Sequence, residues 1–231
     1  MQRAIVIIGG FSTSPGHYRK MAEQLKELTG LLVKVTPIAM TEWSSVVRRS
    51  GWVKLLQKLE ATIAEAISES KCDKVVIVAH SLGGIVTRLY LSPHSTLAFT
   101  PKFVGQIERV ITLGTPHRRG VVRRLTVWKG LGECLAQDCM PVPILSVVGV
   151  VDYSSRGRFA NRTIGLRYRF HGADPLEAGD GIIPIDSAIY DPQRVLTIPN
   201  ARHDFRIGHP WYGDPEIVEL WWKRILADLD D

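Results

Sequence analysis

Lys74-Val75-Val76-Ile77-Val78-Ala79-His80-Ser81-Leu82-Gly83-Gly84 runs from an unbroken apolar segment into a serine flanked by small residues, and a helix-like stretch continues to Leu91. A serine at so sharp a strand-to-helix turn is forced into strained backbone geometry, which leaves room only for small residues two positions before and two after it. Ala79 and Gly83 meet that need. The turn presents the hydroxyl outward and sets the Leu82 amide and a helix N-terminus beside it, where negative charge grows during attack on a carbonyl. Ser81 is therefore the expected nucleophile.

Outward from this turn the chain alternates. Ala4 to Ile8 is a short apolar strand of the kind buried on both faces of a parallel sheet, closed by Gly9-Gly10. A helix follows, with Ser14 as its cap, Pro15 in its first turn, Met21, Leu25 and Leu28 on one face and Gly30 as its stop. Leu31 to Val35 reads as a strand, and a loop with Trp43 leads to a helix from Gly51 to about Glu69. Further strands are expected at Val75–Ala79, Ile107–Leu113, Pro143–Val148 and Val195–Ile198. The last helix opens at Asp214-Pro215, with Ile217, Leu220, Trp221 and Ile225 on its inner face. This pattern predicts an α/β fold with a mostly parallel central sheet and helices on both sides.

The 231 residues, 45% of them hydrophobic, suffice for one domain spanning 1–231. Two stretches, 117–140 and 153–179, break the alternation and are expected to be lid-like excursions, with Thr163 to Phe170 as a strand or hairpin. They carry the arginine-rich groups Arg118, Arg119, Arg123, Arg124 with Lys129, and Arg156, Arg158, Arg162, Arg167 and Arg169. With a net charge of +6, these suit either solvated faces or peripheral contact with an anionic membrane surface. No nucleic-acid motif accompanies them. The chain shows no signal peptide or membrane-spanning run, and its three cysteines, Cys72, Cys134 and Cys139, are too few for a disulfide framework. A cytoplasmic location follows as the expectation, and neither a metal nor another cofactor is implied.

An isolated serine is a weak nucleophile; it needs a histidine to take its proton and an acid to orient that histidine. In a sheet of this topology the order is serine, acid, histidine. Of the seven histidines, His203 lies in the loop between the last strand and the last helix, and His209 is its nearest competitor. For the acid, Asp180 sits between Gly179 and Gly181 at a tight turn, with Asp152 as the rival at an earlier strand end. Asp204 reads as a local cap. The loop Gly9-Gly10-Phe11 offers a second oxyanion donor, the Phe11 amide, beside that of Leu82. Gly10, His80 and Trp128 are candidate substrate contacts, His80 having the alternative of hydrogen bonding beneath the site.

With these residues in place, the chain resembles the α/β-hydrolase superfamily and, within it, the lipase-like group of bacterial triacylglycerol lipases and GPI-inositol deacylase-like proteins. Ile8-Gly9-Gly10-Phe11, Ala79 to Gly84, Leu113-Gly114-Thr115-Pro116-His117, and Gly179-Asp180-Gly181 with His203 carry the likeness. The resemblance implies a serine-dependent hydrolase of acyl esters, lipid esters foremost, acting through an acyl-enzyme. The same residues would serve a thioesterase or acyltransferase, and a non-catalytic lipid- or partner-binding protein is the alternative from another class. The chain departs from the family pattern at Gly9, where such loops usually carry histidine, and at Ala79 in place of glycine. Losing that histidine removes a hydrogen bond beneath the oxyanion loop.

Overall fold

The structure, a computed structural model, describes residues 2–93, 97–117, 131, 135, 140–151, 164, 166–169 and 178–227, the side chains of 226 and 227 excepted. Six parallel strands, β1 (Arg3–Ile8), β2 (Leu32–Val35), β3 (Lys74–His80), β4 (Ile107–Leu113), β5 (Ile144–Val150) and β6 (Val195–Pro199), form a sheet in the order 2-1-3-4-5-6. The helices are α1 (Arg19–Thr29), α2 (Arg49–Ser70), α3 (Leu82–Leu91), the short α4 (Ile185–Ala188) and α5 (Pro215–Ala227).

Alternation within β1 shows how the strands are read. Ala4, Val6 and Ile8 join one core with α2 and α3, while Ile5 and Ile7 join a second core with α1 and α5. All five are fully buried, as expected of a central parallel strand covered on both faces. The order reverses at the β1/β3 boundary: the chain leaves β1 toward β2 on one side and leaves β3 toward β4 on the other. Loops at the carboxyl ends of these two strands must diverge, opening the crevice in which ligands of open parallel sheets bind. The Gly9-Gly10-Phe11 loop follows β1, and Ser81 follows β3.

Four local expectations are corrected. Pro15–Tyr18 forms a 3-10 turn, and the α-helix starts only at Arg19; it stops at Gly30 in the left-handed conformation, φ 68°. The segment with Trp43 is a 3-10 helix, Met40–Val47, that buries Trp43 and Val46 rather than a plain loop. On α5, Leu220 is 44% exposed, while Val218 and Trp222 are buried with Ile217, Trp221 and Ile225. At about 100° per residue the apolar stripe centres on Trp221 and Ile225, and Leu220 falls off its flank. Finally, 166–169 are helical where the partial alternation of Thr163 to Phe170 pointed to a strand. Most of both excursions lies outside the described residues.

The elbow is packed against the end of β1. A Cβ on Gly83 would lie 2.5 Å from the Gly9 carbonyl oxygen and 2.7 Å from that of Ile8, so α3 approaches β1 as closely as backbone allows. Gly105, by contrast, has open space around it. Gly83→Ala is expected to lower stability by about 1–3 kcal/mol through overpacking, and Gly105→Ala to change it by no more than about 0.5 kcal/mol. Urea unfolding midpoints of the two variants check this contrast.

Candidate active site

Ser81 occupies the left-handed side of backbone space, φ 52° and ψ −123°, between the last residue of β3 and the first of α3. Two backbone hydrogen bonds hold it there: its amide donates to the Leu113 carbonyl at 2.9 Å, and its carbonyl accepts from the Gly84 amide at 3.1 Å. A non-glycine residue in such a conformation costs on the order of 1–3 kcal/mol, which the surrounding structure must supply.

His203 follows β6 and is buried, with its Nε2 2.9 Å from Ser81 Oγ and its Nδ1 2.7 Å from Asp180 Oδ2. A carboxylate oxygen only accepts, so Nδ1 carries the proton and Nε2 is left bare to receive the Ser81 hydroxyl proton. Asp180 stands in a turn closed by the Gly179–Pro184 bridge and by its own amide donating to the Ile183 carbonyl at 3.2 Å. Its Oδ1 accepts the Ile182 and Ile183 amides at 3.0 and 2.8 Å, and its Oδ2 accepts Tyr212 Oη–H at 3.0 Å besides His203. Four donors converge on one buried carboxylate and satisfy both of its oxygens. Its backbone carbonyl also accepts the His203 amide at 3.0 Å, so acid and histidine are fixed to each other twice.

The packing around the pair extends to the residues after β4. A Cβ on Gly114 would lie 2.5 Å from Asp180 Oδ2 and 3.0 Å from His203 Nδ1, so the acid and histidine occupy the space a side chain there would fill. Thr115 packs against Gly84 on the other side. The Leu113 to His117 segment thus supports the pair from below. His117 itself is buried, 6% exposed, with its ring tilted at 58° against that of Tyr190, the centroids 5.4 Å apart.

His209, the competing histidine, is caught at 2.6 Å by Asp214 at the start of α5, with its side chain 63% exposed. Asp204 accepts the Arg206 amide at 2.9 Å and pairs with the Arg206 guanidinium. Burial penalises the Asp204 charge, but Arg206 and the His203 ring hold its carboxyl below the usual range. Arg206 continues to the Ser12 carbonyl at 3.3 Å and the Phe11 carbonyl at 3.5 Å, linking the His203 loop to the loop after β1.

In that loop the Gly10 amide donates to Tyr18 Oη, the Gly10 carbonyl accepts from Thr13, and the Thr13 carbonyl accepts from Trp43 Nε1 at 3.2 Å. Among the described residues the Phe11 and Leu82 amides have no such protein acceptor. Gly10 lies against Ser81, since a Cβ there would be 2.7 Å from Ser81 Cβ. His80, named as a substrate contact, is instead buried beneath the site with both ring nitrogens occupied, Nδ1 by Tyr18 Oη at 2.7 Å and Nε2 by the His203 carbonyl at 2.8 Å. Trp128 and Asp152 fall outside the described residues, as do Arg118, Arg119, Arg123, Arg124, Lys129, Arg156, Arg158 and Arg162. Tyr18, Tyr212 and Arg206 escaped the sequence reading because each acts across elements distant in sequence. Among the described residues no group of three or more His, Cys, Asp and Glu side chains could hold a metal ion.

The fold is that of the α/β-hydrolase superfamily. A family model described as "Putative serine esterase (DUF676)" matches residues 2–127, and the chain belongs to that family of serine hydrolases. In fold it is similar to the "putative cell surface hydrolase" of Lactobacillus plantarum WCFS1, with 13% identity, TM-score 0.55 and coverage of 98% of this chain and 92% of that one. It is also similar to the lin2722 gene product of Listeria innocua, with 13% identity, TM-score 0.52 and coverage of 96% and 93%. An alpha-beta serine hydrolase homologue from Coxiella burnetii matches at 15% identity and TM-score 0.50 over 94% and 82% of the two chains. Comparison with curated proteins gives no match.

The buried His80 sets a pH dependence of stability. Burial first, and the neighbouring His203 second, push its pKa down to about 3. Between pH 6.5 and 3 the unfolded chain therefore binds a proton that the folded chain refuses, so stability falls as pH falls through that window. The urea midpoint is expected to be lower at pH 4.5 than at pH 7, and His80→Gln, which carries no titrating ring, to narrow the difference.

Proposed function

We propose that this chain hydrolyses carboxylic acyl esters through a covalent acyl-enzyme on Ser81, and that lipid esters are its preferred class. The observation that carries the reading is the continuous chain from Ser81 Oγ through His203 to Asp180, at 2.9 and 2.7 Å. Ser81 Oγ attacks the ester carbonyl as His203 Nε2 takes its proton, and Asp180 holds the ring in the tautomer that leaves Nε2 bare and stabilises the imidazolium that forms. The oxyanion is received by the Phe11 and Leu82 amides, the latter at the first residue of α3. One such donor contributes about 3–4 kcal/mol to the transition state. Collapse of the tetrahedral intermediate returns the proton from His203 to the leaving alkoxide. Water then enters, gives a proton to the same nitrogen and releases the acid, which restores Ser81.

The lipid preference is supported by the family resemblance and by Phe11, whose ring is 43% exposed on the loop that carries the oxyanion donor. A large apolar side chain at that place suits an apolar acyl chain. Among the described residues no helix is long and apolar enough to cross a membrane. Contact with an anionic bilayer would fall to the arginines of the two excursions.

Hydrolysis of p-nitrophenyl esters from acetate to palmitate tests the reading. Rates should rise toward longer chains, and Ser81→Ala should lose at least about 1,000-fold in kcat while unfolding at the same urea concentration. Asp180→Asn should lose far more than Asp152→Asn. A short-chain optimum would restrict the enzyme to small esters, and turnover unaltered in Ser81→Ala would remove the nucleophile assignment.

A further inference from the structure

Gly9 has no room for a side chain. A Cβ there would lie 2.5 Å from Tyr18 Cε2 and 2.8 Å from Thr13 Oγ1. Tyr18, which closes the 3-10 turn ahead of α1, fills that space and is buried. Its hydroxyl has three polar neighbours: the Gly10 amide at 2.8 Å, His80 Nδ1 at 2.7 Å and Thr13 Oγ1 at 3.2 Å.

The protons in this cluster can be assigned by elimination. His80 Nε2 lies 2.8 Å from the His203 carbonyl, which only accepts, so Nε2 carries hydrogen. Burial keeps the His80 ring neutral, leaving Nδ1 bare. Tyr18 therefore donates to Nδ1, and burial raises its own pKa, so the hydroxyl keeps its proton. Its oxygen accepts from the Gly10 amide. Thr13 donates to the Gly10 carbonyl at 2.6 Å, which leaves its 3.2 Å approach to Tyr18 the weaker contact. A directional series results: Gly10 N–H to Tyr18 O, Tyr18 O–H to His80 Nδ1, His80 Nε2–H to the carbonyl of His203.

These three bonds join the three parts that the proposed reaction must hold in register. Gly10 precedes the oxyanion donor Phe11, His80 precedes the nucleophile Ser81, and His203 is the base. We propose that Tyr18 and His80 are positioning residues that set the spacing of oxyanion loop, nucleophile and base. The inference rests on Ser81 being the nucleophile. Neither residue touches substrate, and both act on groups whose placement matters most in the transition state. Removing either is expected to lower kcat and leave KM nearly unchanged, because the oxyanion and the proton in transfer exist only in the transition state, where a misplaced donor or base costs most.

The test is the kinetics of p-nitrophenyl butyrate hydrolysis by the wild type, Ser81→Ala, Tyr18→Phe, His80→Gln and the double variant Tyr18→Phe/His80→Gln, each checked for folding by circular dichroism. Glutamine keeps a donor for the His203 carbonyl but offers Tyr18 no ring nitrogen, so His80→Gln carries the test should Tyr18→Phe fail to fold. Each single variant is expected to lose about tenfold or more in kcat with KM within about twofold, and the double variant to be little worse than the poorer single one. Folded single variants within about twofold of wild-type kcat, a loss carried by KM, or fully additive losses would overturn the inference while Ser81-dependent hydrolysis stands. Hydrolysis that Ser81→Ala leaves unchanged would overturn the nucleophile reading and this inference with it.

Discussion

A serine held at φ 52° is a conformation the chain would not choose alone, and much of the molecule can be understood as the means of keeping it there. The Leu113 carbonyl at the end of β4 fixes its amide, the first turn of α3 fixes its carbonyl, and Gly83 lets that helix close onto the end of β1. The restraints come from the end of β4, from the helix that follows β3 and from that helix's contact with the end of β1. They can converge only because all the strands run parallel and present their carboxyl ends at one edge of the sheet.

Burial of polar groups is the second constraint, and it limits the arrangements that the side chains of the site can adopt. Asp180, His203, His80, Tyr18 and Tyr212 are all nearly inaccessible, and each polar atom of these five side chains finds a partner of suitable type. A buried polar group left without its partner costs about 1–3 kcal/mol. Alternative rotamers of these side chains would break at least one such bond, so the network selects one arrangement. Tyr212 illustrates the point: it donates to Asp180 while accepting the Gly149 amide at 2.6 Å, and so ties the acid to β5.

What the sequence revealed follows from how local each signal is. The strand, the small residues and Ser81 lie within eleven consecutive positions, and the glycine-flanked Asp180 lies in one turn, so both could be found by reading along the chain. His203 followed from its place between the last strand and the last helix. Tyr18, Tyr212 and Arg206 carry no local mark, because an ordinary tyrosine or arginine becomes part of a site only when distant elements are brought together. His80 was assigned by adjacency to Ser81, and alternation along the chain sends its ring to the buried side. The apolar face of α5 was misjudged at Leu220 for a related reason: two adjacent stripes of large residues compete, and packing against β6 and α1 decides between them.

The central claim is that Ser81 is an activated nucleophile, and the most direct measurement is covalent labelling by a fluorophosphonate followed by intact-mass and peptide mapping. The account predicts a single adduct, located on Ser81, that is absent in Ser81→Ala and forms far more slowly in His203→Ala. A folded chain that remains unlabelled, or one that labels equally well without Ser81, would contradict it.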